Sequence, residues 1–532
     1  MAEPESVGAW APLRIRLFRS LWLAGVVSNL GTFMHTVGAG WSITTLTRDP
    51  GVVSLLQTMW AAPGFIFALL AGALADVIDR RKLMLTTQFA SVLVAGTLGV
   101  LEVTDRLTVT RLLVLTFLLS MCGTLSAPAF MATTPELVPR ELLTSAIGLN
   151  SISMNIAQSA GPAIAGVLIA IAGPGAVFLV NAASFIGIVI VVSRFRFEVD
   201  TSLPAEHIGS AMRTGVRYVR NSPALLVMIT RIMLALTVTS ALAALLPVIA
   251  RKRLDVSAGQ FGLLSASLGV GAVLAIGALP SVRRRLGADA IVAISAVIWA
   301  VGAAIVATAI SVTVACLGLA VAGGASMTTM TTIFSIYQSS LPSWVRGRAS
   351  SVAMLVIWLG ASVGSFGWGL LGSRIGVSGA LLAAAAANVV LGGAGLVALR
   401  IGTAEVADIT PVHWQMPALQ VEPHPTDGPV LVSVEWVVDA ERVAEFAQHM
   451  EAIGRQRRRD GAMQWGVFQD MEVPGRMVES FTVATWAEHE RQHSRTIASD
   501  AVEQSPARAL LVDGGPNVSH LISQRPSRVR NR

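Results

Sequence analysis

Long apolar runs recur along most of this chain, and they limit its possible folds more than any other feature. Of the 532 residues, 53% are apolar and only 13% are charged. A soluble fold of this size could not hide so much apolar surface, whereas a helix crossing the hydrocarbon core of a bilayer needs about 20 apolar residues. The sequence therefore predicts a membrane protein with many helical spans.

Twelve such runs lie between residues 18 and 400, separated by charged or Pro/Gly-containing breaks. The fold class that we predict is an all-α polytopic membrane protein with a small domain after the last span. The predicted spans cover residues 18–46, 53–75, 83–104, 108–133, 145–172, 175–195, 224–250, 258–280, 287–310, 312–337, 348–373 and 376–400.

Most basic loop residues fall on one side of these spans, which the positive-inside rule assigns to the cytoplasm. Both termini are then predicted to be cytoplasmic. The rule also explains the net charge of +7 without a nucleic-acid partner. Arg14, Arg16 and Arg19 lead into a first helix that we expect to be an uncleaved signal anchor. Cys122 and Cys316 lie within apolar segments and imply no disulfide.

The two halves of the helical region resemble each other. At one common offset Gly161 matches Gly364, and Gly166 matches Gly369. We therefore predict an N-terminal six-helix half over 1–195 and a C-terminal six-helix half over 224–402, joined by a cytoplasmic linker over 196–223 that contains a surface helix. Two parallel halves related by an axis along the membrane normal are a known transporter architecture, with the substrate path between them.

After residue 402 the composition changes abruptly. Residues 403–429 are rich in proline and polar residues, which indicates a linker. The pattern of residues 430–526 predicts a soluble domain. The β-α-β-β-α order of its elements fits a ferredoxin-like α+β fold. The predicted elements are a strand over 430–436, a helix over 439–459, strands over 463–470 and 477–484, and a helix over 486–497.

A charged stretch between the second and third runs has the spacing G-x-x-x-D-x-x-x-R-R, formed by Gly72, Asp76, Arg80 and Arg81. It resembles the loop between helices 2 and 3 of the major facilitator superfamily. With the Gly161-Pro162 pair of the fifth helix, the chain resembles the enterobactin-exporter-like branch of that superfamily, the transmembrane secretion effectors. The tail is similar to antibiotic-biosynthesis-monooxygenase-type domains.

This resemblance implies a secondary transporter that exports a small organic molecule, such as a siderophore, a drug or a secondary metabolite, by alternating access and proton antiport. We expect no cofactor and no enzymatic activity. The absence of a G-x-x-x-x-G-K-[ST] signature argues against an ATP-driven pump. The alternative is a membrane-anchored monooxygenase-like enzyme whose helices move its substrate.

The resemblance also implies a cytoplasmic gate. Asp76 would lie near the start of the eleventh helix, where the positive end of the helix dipole favours a carboxylate. Arg80 and Arg81 would pair with an acid such as Glu136, and Ser281 replaces the acid in the second half. The alternative is that these charged residues only set the orientation of the spans in the membrane.

Few titratable residues lie within the predicted spans, and His35 and Arg231 are the clearest. Such residues commonly face a cavity or a partner. His35 could carry a proton or could be hydrogen-bonded between packed helices, and Arg231 could contact substrate or join helices. A mostly neutral and aromatic set of residues would suit a bulky amphipathic substrate, although residues of these types are more often helix-packing contacts than ligands. This candidate cavity set comprises Gln57, Trp60, Asn155, Gln158, Asn181 and Trp358.

We interpret three residues of the fifth helix as shaping the backbone rather than binding substrate: Gly161, Pro162 and Gly166. Small residues let helices approach closely, and a proline can kink a helix. We therefore predict a packing and gating role for the fifth helix.

The tail contains His489-Glu-Arg-Gln-His493, the H-E-x-x-H spacing of zinc proteases. A third ligand could come only from His520 or a carboxylate such as Glu503, so we favour a structural helix and keep metal binding by His489 and His493 as the weaker hypothesis. The expected partners are a small-molecule substrate, protons, the lipid bilayer and a second copy of the tail, paired through its open sheet face.

Overall fold

The computed structural model describes residues 10–194, 208–401, 421–512 and 516–523. The side chains of residues 69, 73, 75–77, 208–212 and 494 lie outside this description. The predicted linker over 403–429 therefore lies largely outside the described residues. The chain divides into two compact units, which we call the helical unit and the sheet unit. The helical unit comprises Met1–Ile208, Ile229–Phe334 and Ala353–Ile401, and the sheet unit comprises Gly209–Met228, Ser335–Val352 and Gly402–Arg532.

Helices form most of the described chain up to residue 401, because its apolar runs can satisfy their backbone hydrogen bonds in lipid only as helices. They are α1 (Arg16–Leu46), α2 (Pro50–Val77), α3 (Arg80–Val103), α4 (Val109–Leu137), α5 (Leu143–Arg194), α6 (Ile208–Arg220), α7 (Pro223–Lys252), α8 (Ala258–Arg283), α9 (Ala288–Thr308), α10 (Val312–Ser339), α11 (Ser343–Ile375) and α12 (Val377–Val397).

Ten helices in the described part of the chain are long and apolar enough to cross a membrane. One of them, residues 140–194, contains a break at Gly173, whose φ of 75° and ψ of 169° are not helical. A φ of this sign is readily adopted only by glycine. The observed α5 therefore covers the fifth and sixth predicted spans, with the break near their predicted boundary.

Within each half, the helix that carries the repeated glycines packs closely against the first helix of its own half. A Cβ atom built on Gly161 would lie 2.8 Å from the Cβ atom of Phe33 in α1. Gly364 of α11 makes the matching approach to Thr237 and Ser240 of α7. The repeat seen in the sequence is therefore a repeat of helix contacts.

The second glycine of each pair forms a contact between the halves, and we call these two places the interhalf contacts. A Cβ atom built on Gly166 would lie 2.8 Å from the Cα atom of Gly262, so α5 meets α8 backbone to backbone. Gly369 of α11 makes the corresponding approach to Ser54 of α2. Larger side chains would push these helices apart.

The carboxy-terminal part of the sheet unit contains the predicted strands and helices and two further elements. Its strands form one antiparallel sheet in the order β2-β3-β1-β4, with a core that includes Trp436, Phe446 and Trp486. The elements are β1 (Val430–Val437), α13 (Val443–Asp460), β2 (Gln464–Gln469), β3 (Arg476–Val483), α14 (Trp486–Arg495), α15 (Ala498–Arg508) and β4 (Asn517–Ile522). The sequence did not predict α15 or β4.

The carboxy-terminal part of the sheet unit, which we call the tail domain, packs on helix ends that belong to the same unit. The guanidinium of Arg459 lies 5.4 Å from the ring centroid of Tyr218 in α6, and that of Arg495 lies 4.4 Å from the ring centroid of Trp344 in α11. Arg217 of α6 forms an ion pair of 3.8 Å with Glu488. Charged groups therefore hold the tail domain against α6 and the first turns of α11.

Candidate functional site

A cavity of about 330 Å³ opens among α1, α2, α5, α7 and α8 of the helical unit. Gln57, Trp60 and Gln158 line it together, with Ser265 and Phe261 on the opposite half. The described lining contains no ionisable side chain. Its volume lies within the usual range for small-molecule sites, and its amides and aromatic rings can hydrogen-bond and stack on a neutral or amphipathic molecule.

Pro162 also lines this cavity, and it explains one close contact there. A proline has no N–H, so it cannot donate to the carbonyl of Gln158 four residues earlier in the helix. Gly269 of α8 comes close to that carbonyl: a Cβ atom built on Gly269 would lie 2.9 Å from the Gln158 oxygen. The Gly-Pro pair therefore brings the backbones of the two halves together beside the cavity.

His35 lies in α1 next to the lining residue Thr36, but it is fully buried behind the cavity wall. Its ring centroid is 4.8 Å from that of Phe178 and 6.4 Å from that of Trp60. Neither ring nitrogen has a hydrogen-bond partner among the described residues. The histidine is thus packed between aromatic rings rather than hydrogen-bonded between helices.

Three further members of the candidate cavity set lie outside the cavity lining. Asn155 is half-buried on α5, and Asn181 is buried, with its side-chain oxygen 3.4 Å from the Ser184 hydroxyl. Trp358 of α11 covers Gly64 of α2, where a Cβ atom would lie 2.5 Å from the indole. Trp358 therefore packs between α2 and α11, which belong to different halves.

Arg231 is buried and forms an ion pair with Asp289 in the first turn of α9. Its Nη1 atom also donates to the carbonyl of Leu399, at 3.1 Å. Arg231 thereby joins α7 to α9 and the end of α12. Sequence reasoning did not single out Asp289, although its position at the same predicted membrane face as Arg231 was a usable signal.

The charged stretch after α2 forms local contacts at the start of α3. Arg80 pairs with Glu136 of α4. Arg81 was also expected to pair with an acid, but its Nε donates instead to the backbone carbonyl of Val192, at 3.1 Å. Asp79 accepts from the backbone N–H of Lys82, at 2.9 Å, and so caps α3.

The two residues of this stretch that lie in α2 are less informative. At Gly72 an added Cβ atom would meet no described atom within 4 Å beyond its own stretch of helix. The side chain of Asp76 lies outside the described part of the structure, so its contact with the eleventh helix stays a prediction. In the corresponding loop of the second half, Ser281 accepts a hydrogen bond from Arg284, at 3.2 Å.

A second cavity, of about 410 Å³, lies in the tail domain and contains three histidines. His489 and His493 are one turn apart on α14, and His520 comes from β4. The Nε2 atoms of His489 and His493 are 3.1 Å apart. Burial, with smaller contributions from His493 and His520, lowers the pKa of His489 to about 3. Burial also lowers the pKa of His493 and of His520.

Comparison with known proteins identifies the family. The sequence profile of the family described as "Transmembrane secretion effector" matches residues 7–528. This chain belongs to that family. The family prediction is therefore confirmed, and the chain is a multi-pass secondary transporter that exports small molecules. The family members are transporters, so the alternative of a membrane-anchored enzyme is not supported.

Two curated relatives are similar over large segments. The chain is 26% identical to the staphyloferrin A transporter of Staphylococcus aureus (strain NCTC 8325 / PS 47) over 332 residues, which cover 61% of this chain and 82% of that protein. It is 30% identical to the enterobactin exporter EntS of Salmonella choleraesuis (strain SC-B67) over 273 residues, which cover 50% of this chain and 63% of that exporter.

Solved transporters share the fold at low sequence identity. A bacterial homologue of the human lysosomal transporter Spinster superposes with a TM-score of 0.60 at 13% identity, covering 73% of this chain and 98% of the other. The nucleoside transporter NupG superposes with a TM-score of 0.57 at 14% identity, covering 71% of this chain and 98% of the other. The helical part thus has the fold of known transporters.

Proposed function

We propose that this chain exports a small organic molecule, of the siderophore, drug or secondary-metabolite class, across the bacterial plasma membrane by alternating access. The observation that carries this proposal is the cavity whose wall contains Gln57 and Gln158 from one half and Ser265 from the other. A site built from both halves can open to either side as the halves rock. The names of the two curated relatives point to siderophores as the first compounds to test.

Twelve spans follow if α1 and both parts of α5 cross the membrane. The 52 residues of α5 would be about 78 Å long as one straight helix, more than twice the roughly 30 Å of a hydrocarbon core. The break at Gly173 divides α5 into two parts, each long enough to span. Together with the basic loops, an even number of spans puts both termini in the cytoplasm.

Cargo recognition should depend on the neutral amides of the cavity. Gln158 lines it, whereas Asn155 lies three residues away on the same helix and outside the lining. We expect Gln158→Ala to raise the KM for export at least about tenfold, the loss of roughly one well-placed hydrogen bond. The matched Asn155→Ala variant should export normally.

The test is accumulation of labelled siderophores and other candidate compounds in cells with and without the protein, at equal expression. Lower accumulation in cells with the protein supports export. Equal accumulation of every compound, or equal effects of the two amide substitutions, would contradict the proposed cargo site.

The cytoplasmic gate is proposed to close when Asp76 meets the first turn of α11, with Arg80 and Glu136 fixing the neighbouring loop. Asp76→Asn should then lower export sharply at equal expression. Asp105→Asn, in the exposed loop after α3, is the control. Normal export by Asp76→Asn would contradict the proposed role of Asp76 in closing this gate.

Coupling to protons is proposed to involve His35. Its buried imidazole lies beside the cavity and is the titratable group of α1 nearest to the cavity lining. A protonophore should abolish concentrative export. His35→Gln should allow only downhill movement of cargo, and uphill export by this variant would exclude His35 as the carrier.

The tail domain is proposed to pair with a second copy through the sheet face opposite its helices. Leu431, Phe468 and Leu521 are exposed there. Mass photometry of the full chain in nanodiscs should report a dimer, and Leu431→Lys should shift it to monomer; a monomer in both cases would contradict this pairing.

A further inference from the structure

Three imidazoles meet in the tail domain although the sequence separates them. His489 and His493 lie one turn apart on α14, and His520 pairs with Val432 of β1 from the edge strand β4. One ring nitrogen from each histidine lies within 4.8 Å of those of the other two. Only the packing of α14 on the sheet produces this cluster, which we call the histidine cluster.

The surroundings of the cluster suit a ligand set. All three histidines line the tail cavity, so an ion that enters the cavity can reach their ring nitrogens. The Nδ1 atom of the buried His489 has no hydrogen-bond partner among the described residues.

We propose that His489, His493 and His520 bind one divalent transition-metal ion. Zinc lies about 2.0–2.1 Å from imidazole nitrogens, so two such nitrogens in a tetrahedral site are about 3.3 Å apart. The observed Nε2 separation of 3.1 Å between His489 and His493 is close to that value. The ring nitrogen of His520 lies within 4.8 Å of the other two, so it would move by up to about 1.5 Å to complete three ligands.

Three protein ligands leave a coordination position open, and here it faces the tail cavity. Arg457 lies in the cavity wall, but its charge is offset by the buried carboxylate of Glu479, at 3.0 Å. Gln456 and Gln492 add neutral amides to the same wall. The open position can therefore accept a water molecule or a small oxygen-donor ligand.

The arrangement is not that of a zinc protease, in which the glutamate of H-E-x-x-H activates water at the metal. The carboxylate of Glu490 instead accepts a hydrogen bond from the Trp486 indole, at 3.0 Å. The third histidine also comes from a strand rather than from a following helix. The cluster is a binding site in a transporter, and it stands independently of the proposed cargo.

Metal content of the full chain tests the proposal directly. The protein is purified in detergent with an affinity tag that lacks histidine, stripped with a chelator, exposed to zinc and desalted. We expect about one zinc ion per chain. His520→Ala should lose most of it, at least about tenfold in affinity. His449→Ala, which removes a histidine of α13 outside the cluster, should keep it.

A second variant guards against misfolding of the first. His520→Cys keeps a ligand but changes its chemistry, so cobalt bound to this variant should show a thiolate-to-metal charge-transfer band that the wild type lacks. Wild-type protein that retains no zinc after desalting would overturn the proposal. So would zinc that is retained equally by His520→Ala, or a cobalt spectrum that His520→Cys leaves unchanged.

Discussion

The helical unit and the sheet unit hold their elements together by different means. In the helical unit the helices meet where side chains are smallest, as where Gly166 lies on Gly262. In the sheet unit, arginine–carboxylate networks link the elements: Arg459 holds Asp460 and Asp500 at 2.8–3.0 Å.

The difference has a physical reason in each unit. Lipid is as apolar as the side chains, so transmembrane helices associate through close van der Waals contact and small residues. The sheet unit contains buried charges, and buried charges are stable only when they are fully paired. A change of volume should therefore harm the helical unit most, and a change of charge the sheet unit.

The largest effect that we expect is from Arg459→Ala, which leaves two buried carboxylates without their partner. Breaking a buried pair costs about 3–5 kcal/mol. Hydrogen exchange of the β1 and β3 amides in the full chain should accelerate accordingly. Arg442→Ala removes an exposed pair with Glu445 and should change nothing measurable. Equal protection in both variants would show that charge does not hold the sheet unit together.

The ion pair of Arg231 and Asp289 is a largely buried charge contact within the helical unit, so it tests whether charge also matters there. Arg231→Gln removes the cation from this ion pair and should destabilise the protein by about 3 kcal/mol, measured as thermal unfolding in detergent. Adding Asp289→Asn should recover most of this loss and restore export. A stable double variant that does not export would instead make Arg231 a substrate contact.

Gly166→Leu tests the interhalf contact by volume alone. The new side chain would meet the α8 backbone, and overpacking of this kind costs about 1–3 kcal/mol. Export should fall with it. Gly187→Leu is the matched control, because Gly187 lies on the same helix and, among the residues that the structure describes, none from another element comes within 4 Å of its Cβ position. Normal export by Gly166→Leu would show that the halves can separate there without cost.

The smallest effect is a change in how metal binding depends on pH. Three imidazoles with the ordinary pKa of about 6.5 would lose roughly 50-fold in affinity between pH 7.5 and 6. Burial lowers the pKa of each histidine of the cluster, so protons compete only at lower pH and we expect a smaller loss of affinity.

The neighbouring charges modify this dependence: Arg457 lowers the pKa of His489 and His493, and Glu490 raises that of His493. Zinc titration of the full chain at both pH values measures the loss. A 50-fold fall would mean that the rings are more open to water than the structure indicates.

The sequence predicted the helices well, because an apolar run in lipid can satisfy its backbone hydrogen bonds only as a helix. It also picked out Gln57 and Gln158, since polar residues are rare in such runs. It missed β4, an edge strand of six mostly exposed residues, because so short a segment has little apolar pattern. It could not join Arg231 to Asp289, which are 58 residues apart and meet only in the folded chain.

The interhalf contacts have a consequence for assembly. The glycine-bearing helix of the first half touches the second half at Gly262, and the matching helix of the second half touches the first at Ser54. Each half thus offers the same pair of surfaces that it needs from the other. In an oligomer, two such reciprocal contacts related by a two-fold axis make up a single isologous interface. The two halves of this chain therefore meet as the subunits of a closed homodimer do, with both copies of the interface joined in one polypeptide.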